Sequence, residues 1–206
     1  MAGRVKLLLA SANAGKLRDY EALTAGHAVE LALLADLDRL PRFEESAPNF
    51  AENAAGKALH YSRFTPEFVI ADDSGLVVTA LGVVPGPKSA RYAGPDATDA
   101  QRVGKLLEEL RAKGVSDRQA RFVCALALAR AGRLLAVFSD FVEGTLAEAP
   151  RGQGGFGYDP IFFYAPLGRT FAEISRAEKN QHSHRGKACR KLLAFLESSQ
   201  EQMRAS

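Results

Sequence analysis

The stretch VKLLLASANAGKLRDYEALT, residues 5–24, decides the class of fold. Residues 5–10 are a short apolar run of the kind a buried strand shows. A polar turn follows, Ser11-Ala12-Asn13-Ala14-Gly15-Lys16, and then Leu17, Tyr20, Leu23 and Thr24 recur at helical spacing. Strand, turn and helix in such quick succession point to an α/β architecture. Working outward, residues 29–34 read as a second strand. Residues 68–71 read as a third, ending at Asp72-Asp73-Ser74-Gly75, with residues 76–79 able to resume extended structure. Asn49 and Glu52 have capping-box spacing for a helix to about residue 64, with Phe50, Ala54, Ala58 and Tyr61 on one face. Thr98 and Gln101 predict a second capped helix that reaches Lys113 and is closed by Gly114. Residues 81–95 read as a loop, and residues 119–130 and 133–142 flank Ala131-Gly132 as a long hairpin. Residues 183–198 read as a basic helix that buries Leu192, Leu193 and Leu196. No repeat or linker interrupts this order, so residues 1–206 are expected to form one domain.

Composition narrows the class. With 47% hydrophobic and 25% charged residues, the chain of 206 residues is neither disordered nor collagenous. A chain of this length buries roughly 70% of its unfolded surface, enough for a large core without staples. The formal charge of +3 is too small to call for a nucleic-acid partner. No run approaches the roughly 20 apolar residues of a membrane helix, so no membrane association is expected. The start, MAGRVKLLLASA, superficially resembles a signal peptide, but its apolar core, residues 7–10, is too short. Cys124 and Cys189 cannot build a disulfide scaffold and read as reduced thiols. The expected location is the cytoplasm.

Four polar clusters interrupt this pattern, each beside a predicted strand or helix end. In residues 11–16, small residues let backbone N–H groups approach an anion, and Lys16 adds a charge at a helix N-terminus. A plain helix cap with an exposed lysine accounts for the same residues. The loop acids Glu44-Glu45 and the pair Asp72-Asp73 offer carboxylate oxygens, which suit a hard cation such as Mg²⁺, and adjacent acids raise one pKa toward the range of a general base. The ordinary reading of Glu44-Glu45 is a solvated loop. GGFGYDP, residues 154–160, combines conformational freedom with two aromatic rings on which a base could stack. A tight turn before a strand is the plainer reading. The last cluster, Lys179 to Lys187 with His184 and Arg185, would bind phosphates or read an acceptor edge of a base, or else form a solvated basic face. Together these groups point to a nucleoside phosphate with Mg²⁺.

These same blocks resemble the inosine triphosphate pyrophosphatase family, also called RdgB-like or Ham-type. LLLASANAGKL (7–17), NFAENAAGKA (49–58), ADDSGL (71–76), PGPKSARYAG (85–94), GGFGYDPIF (154–162), TFAEIS (170–175) and EKNQHSHRGKA (178–188) occur in the family's order over nearly the whole chain. The resemblance implies an elongated α/β fold of two lobes, with a long, twisted mixed sheet flanked by helices, an active-site cleft between the lobes, and a homodimer. It implies Mg²⁺-dependent hydrolysis of ITP, dITP and XTP to the monophosphate plus pyrophosphate, which cleanses the nucleotide pool. Carried over by position, Asp73 matches the proton acceptor, and Glu44 with Asp73 matches the Mg²⁺ ligands. Ser11, Ala12, Asn13, Ala14, Gly15 and Lys16 would cradle the triphosphate. Ser74, Phe156, Gly157, Tyr158, Asp159, Lys179, His184 and Arg185 match further substrate contacts. Arg185 or backbone N–H groups of residues 154–157 would then select a 6-oxo purine over adenine. Ala12, Ser46-Ala47 and Val83 depart from the family pattern.

Overall fold

Leu7, Leu8 and Leu9 leave a strand no polar side to turn to water, so both of its faces must be covered. All three are buried in the computed structural model, which describes residues 4–82, 84–114 and 116–205. Their strand, β1 (Val5–Leu9), pairs in parallel with β2 (Val29–Leu33) and with β3 (Phe68–Val78), so that Leu7 lies opposite both Leu31 and Phe68. Parallel neighbours need crossovers. Helix α1 (Ala14–Thr24) joins β1 to β2, and α2 (Phe50–Tyr61), prolonged by a 3₁₀ turn over Ser62–Phe64, precedes β3.

The sheet continues through β5 (Gln119–Arg130), β6 (Arg133–Leu146), β7 (Phe162–Tyr164) and β8 (Arg169–Thr170). Its order is β2-β1-β3-β5-β6-β7-β8, and β4 (Val84–Pro85) pairs with β3 in antiparallel fashion. Among the described residues it is therefore a mixed sheet of eight strands, flanked by helices. Ala131 and Gly132, with φ of 48° and 74°, supply the two left-handed positions that a two-residue hairpin turn between β5 and β6 needs. β6 runs past the expected residue 142 to Leu146. The region expected as a plain loop, residues 81–95, contains β4 and a 3₁₀ turn over Gly86–Arg91, and another 3₁₀ turn, Thr79–Leu81, leads into it; Val83 lies outside the described residues.

Capping behaves as the spacing predicts. Thr98 and Gln101 close a reciprocal capping box on α3 (Asp99–Ala112), and Gly114 follows the helix at φ 60°. On α2, Asn49 Oδ1 accepts from Glu52 N at 2.9 Å, but Glu52 returns the contact to the Asn49 side-chain amide (2.7 Å) rather than to its backbone. Phe50, Ala54, Ala58 and Tyr61 are all buried. The helix expected over residues 183–198 is in fact the second of two, α4 (Arg176–His182) and α5 (His184–Ala205), separated at Ser183 by one extended residue. Leu192, Leu193 and Leu196 are buried as predicted.

The chain forms two compact units. The first comprises Met1–Asp73, Cys124–Asp140 and Arg185–Ser206; the second comprises Ser74–Val123 and Phe141–His184. In the first, Leu7, Leu9 and Ile70 pack with Leu126, Leu128 and Leu192. In the second, Leu106 and Leu110 of α3 pack with Leu76, Phe122, Phe162 and Phe171. No helix among the described residues is long and apolar enough to cross a membrane. Leu110 is fully buried in the second core, so Leu110→Ala should lower unfolding free energy by about 2–5 kcal/mol. Urea titration should show the midpoint fall with an unchanged slope.

Candidate active site

Asp72-Asp73-Ser74-Gly75, expected just past a strand end, instead lies inside β3, which runs unbroken from Phe68 to Val78. Extension is maintained because Gly75 admits a close neighbour. A Cβ there would lie 2.3 Å from Ser89 Oγ, which accepts from Leu76 N (2.9 Å) and donates to Gly86 O (2.6 Å). Within a strand, successive side chains leave by opposite faces. Asp72 and Asp73 are neighbours in sequence that meet different partners.

Asp72 joins a buried charge cluster. Lys16 Nζ is 2.6 Å from Asp72 Oδ1, and Arg185 Nε is 3.2 Å from Oδ2. Arg185 Nη1 lies 2.8 Å from Asp19 Oδ2, and Arg185 is only 2% exposed. Burial alone would raise the Asp72 pKa, but Lys16 and Arg185 overcome it and hold this carboxyl well below the usual carboxylate range. Burial and the Asp72 charge push the neighbouring groups the other way. Tyr20 is raised well above its ordinary value, and the Cys124 thiol, 4.0 Å from Asp72 Oδ2, is pushed up to about 12. Both cysteines are free and buried.

The first motif is more helical than expected. α1 begins at Ala14, so Ala14, Gly15 and Lys16 form its first turn, and Asn13 is its N-cap, with Oδ1 accepting from Lys16 N at 3.1 Å. Ser11 Oγ accepts from Asn13 N at 3.2 Å. Ala12, Asn13 and Ala14 are exposed, whereas Ser11 and Gly15 are buried.

Asp73 meets a neutral partner: Asn53 Nδ2 donates to its Oδ2 at 2.9 Å. Burial raises the Asp73 pKa to about 6, with Glu45 adding to the rise and the Asn53 hydrogen bond opposing it. A carboxyl held there is basic enough to take a proton from water near neutrality. Asn53 also ties down the acidic loop, accepting from Ala47 N (2.9 Å) and donating to Ala47 O (3.3 Å). Glu45 is half-buried and paired with Lys57 at 2.6 Å, while Glu44 is exposed. Among the described residues, no three His, Cys, Asp or Glu side chains converge as a metal cage. Mg²⁺ is commonly held by one or two carboxylates plus substrate phosphates, and the donors here are all hard oxygens. Asp73 and the acidic loop fit that mode.

In the second unit, three of the four amides of residues 154–157 have partners within the fold. Gly154 N donates to Ala172 O (2.9 Å), Phe156 N to Asp159 Oδ2 (2.8 Å) and Gly157 N to Asp99 Oδ2 (2.6 Å). These amides, expected to read a 6-oxo group, serve the fold instead. Lys179 forms a buried pair with Asp159 at 2.5 Å, with its ammonium 4.8 Å from the Phe156 ring centre. Of the two aromatics expected as a stacking surface, Phe156 is half-buried, whereas Tyr158 is buried and donates to Ser89 O at 3.0 Å. His184 is buried and stacks on Phe122, with ring centres 4.9 Å apart. Ser74 is half-buried. Arg185, expected to face a base, serves two buried carboxylates in the first unit.

Residues 7–195 match the model of the Ham1 family. The chain belongs to the Ham1 family. This Ham1 protein is 51% identical over 187 residues to the dITP/XTP pyrophosphatase of Geobacillus kaustophilus, covering 91% of this chain and 92% of that one. It is 49% identical over 182 residues to the dITP/XTP pyrophosphatase of Syntrophobacter fumaroxidans, covering 88% and 78%. The solved structure of a HAM1 protein from Coxiella burnetii matches it with a TM-score of 0.85 at 41% identity, covering 94% of this chain and 99% of that one.

Three residues of this Ham1 protein gain a place that its motifs did not suggest: Asp19, Asn53 and Asp99. Asp19 looks like a surface acid within α1, yet it is 4% exposed because its partner arrives from α5. Asn53 sits inside a helix, and only its burial beside Ala54 marks it. α4, which carries Lys179, did have a local signal: Ser175 and Glu178 have capping spacing, and Ser175 Oγ accepts from Glu178 N at 3.2 Å. Removing one partner of a buried pair leaves a stranded charge. Asp19→Ala should therefore cost about 3–5 kcal/mol of unfolding free energy by urea titration. An unchanged midpoint would mean that Arg185 does not need Asp19.

Proposed function

We propose that this Ham1 protein hydrolyses the deaminated purine nucleoside triphosphates ITP, dITP and XTP to the monophosphate and pyrophosphate, using Mg²⁺, as a cytoplasmic homodimer that cleanses the nucleotide pool. The observation that carries the reading is the unequal treatment of Asp72 and Asp73. One is fixed as an anion between Lys16 and Arg185; the other is held at one oxygen by a neutral amide. A hydrolase needs both: an anchor for the cation that receives phosphate, and a separate group that can accept a proton.

Lys16, in the first turn of α1, brings an ammonium and a helix N-terminus together, a pairing that suits a polyphosphate. The exposed Ala12, Asn13 and Ala14 at the head of that helix are assigned to the same phosphates. Asp73 orients a water in line with the α-phosphorus and takes its proton as the water oxygen bonds to phosphorus. The bond to the pyrophosphate oxygen breaks, and pyrophosphate leaves. Mg²⁺, held by Asp73 and Glu44, would neutralise charge on the phosphate oxygens. The half-exposed face of Phe156 takes the base by stacking, with Ser74 and Gly157 beside the substrate. Ser11, Gly15, Tyr158, Asp159, Lys179, His184 and Arg185 are buried, and their assignment to the substrate rests on their place in the motifs. The names of the relatives, dITP/XTP pyrophosphatase, support the substrate class.

Purified protein should convert ITP and XTP, far more than ATP or GTP, to monophosphate and pyrophosphate when products are separated after incubation with Mg²⁺. Orthophosphate and diphosphate as products would move the attack to the γ-phosphorus and overturn the mechanism. Asp73→Asn should lower kcat about 10²–10⁴-fold with an unchanged circular dichroism spectrum. Chelation with EDTA should abolish turnover, and added Mg²⁺ should restore it; turnover that persists in EDTA would remove the metal from the reading.

A further inference from the structure

The turn at residues 155–157 has two glycines in the left-handed region, Gly155 at φ 70° and Gly157 at φ 65°. Such a turn has little stiffness of its own, because glycine visits many conformations at similar cost. Yet the two peptide planes that flank the Phe156 Cα are each held by a carboxylate. The plane before it donates its N–H to Asp159 Oδ2 at 2.8 Å, and the plane after it donates from Gly157 N to Asp99 Oδ2 at 2.6 Å. Asp159 is local and backed by the buried Lys179. Asp99 comes from a different element, the first turn of α3.

Asp99 is itself held. The Arg102 guanidinium pairs with Asp99 Oδ1 and also donates to Ala90 O at 2.9 Å and to Ala97 O. Arg102 thus joins the segment that precedes α3 to the carboxylate that holds the turn. The same segment carries Ser89, whose carbonyl accepts from the Tyr158 hydroxyl at 3.0 Å. The turn is anchored at two successive residues, 157 and 158, by groups far from it in sequence.

We propose that Asp99 is a positioning residue that fixes the Phe156 ring and thereby sets affinity and selectivity for the purine base; this rests on the reading of Phe156 as the base platform given above. Asp99 touches neither the phosphates nor the attacking water in that reading, so its effect falls on binding. Asparagine at this position keeps the shape but has one oxygen. It can serve Gly157 N–H or the guanidinium, and its NH₂ then opposes the other donor.

The test compares wild type, Asp99→Asn and Arg102→Gln in steady-state kinetics with ITP, XTP, ATP and GTP, alongside amide hydrogen exchange at Gly157 by NMR. Loss of a hydrogen bond to a charged acceptor predicts that Asp99→Asn raises KM for ITP about tenfold or more, with a smaller change in kcat. The ITP preference over ATP and GTP should shrink, and Gly157 exchange should quicken by a similar factor. Arg102→Gln should move all these readouts in the same direction by less, because the Asp99 contact to Gly157 survives. A variant that melts earlier but keeps its KM and base preference would show a merely structural acid and overturn the proposal. So would a fall in kcat at unchanged KM. If wild type turns over none of the four nucleotides, the functional reading fails on its own. The positioning claim is then judged on Gly157 exchange alone, and unchanged exchange in Asp99→Asn overturns it.

Discussion

A guanidinium without bulk water must be matched charge for charge, and Arg185 is matched by Asp19 and Asp72. That requirement organises the first unit. It draws together α1, which supplies Asp19, β3, which supplies Asp72, and α5, which begins at His184. With Lys16 added, two cations face two carboxylates and the cluster is neutral. Neutrality explains why Asp72 stays ionised in a site where burial alone would protonate it. Asp73, one residue on, has the neutral Asn53 rather than a cation as its hydrogen-bond partner, and its own burial dominates.

Much of the fold was legible because its signals are local. Caps at Asn49 and Thr98, the apolar run of β1, and the left-handed pair at Ala131 and Gly132 each act within a few residues, and each element formed where its signal stood. Two adjacent aspartates followed by Ser-Gly also look local, and that misleads. Their environment is made by α1, α2 and α5, so a strand continues where composition suggests a break. Side-chain alternation along a continuous strand then supplies the division of labour that no spacing rule could show.

The second unit makes a related point about donors. A glycine-rich segment beside basic residues suggests a ring of N–H groups and cations that await a ligand. In the fold, Asp159, Asp99 and Ala172 O take those donors, and Lys179 neutralises Asp159. Polar groups satisfied internally do not reorganise when a ligand arrives, which is how a site becomes rigid before binding. In the proposed reading the base stacks on Phe156, and discrimination among purines then depends on where that ring is held.

Cys124 shows a further consequence of the Asp72 cluster. A sulfur beside a guanidinium is ordinarily primed to become thiolate, the form that peroxides and electrophiles attack first. Here burial, helped by the Asp72 carboxylate 4.0 Å from the same sulfur, pushes the thiol pKa up. The same burial that leaves Arg185 dependent on its carboxylates thus disfavours the thiolate at this sulfur, with Asp72 adding to the effect and Arg185 and Lys16 opposing it.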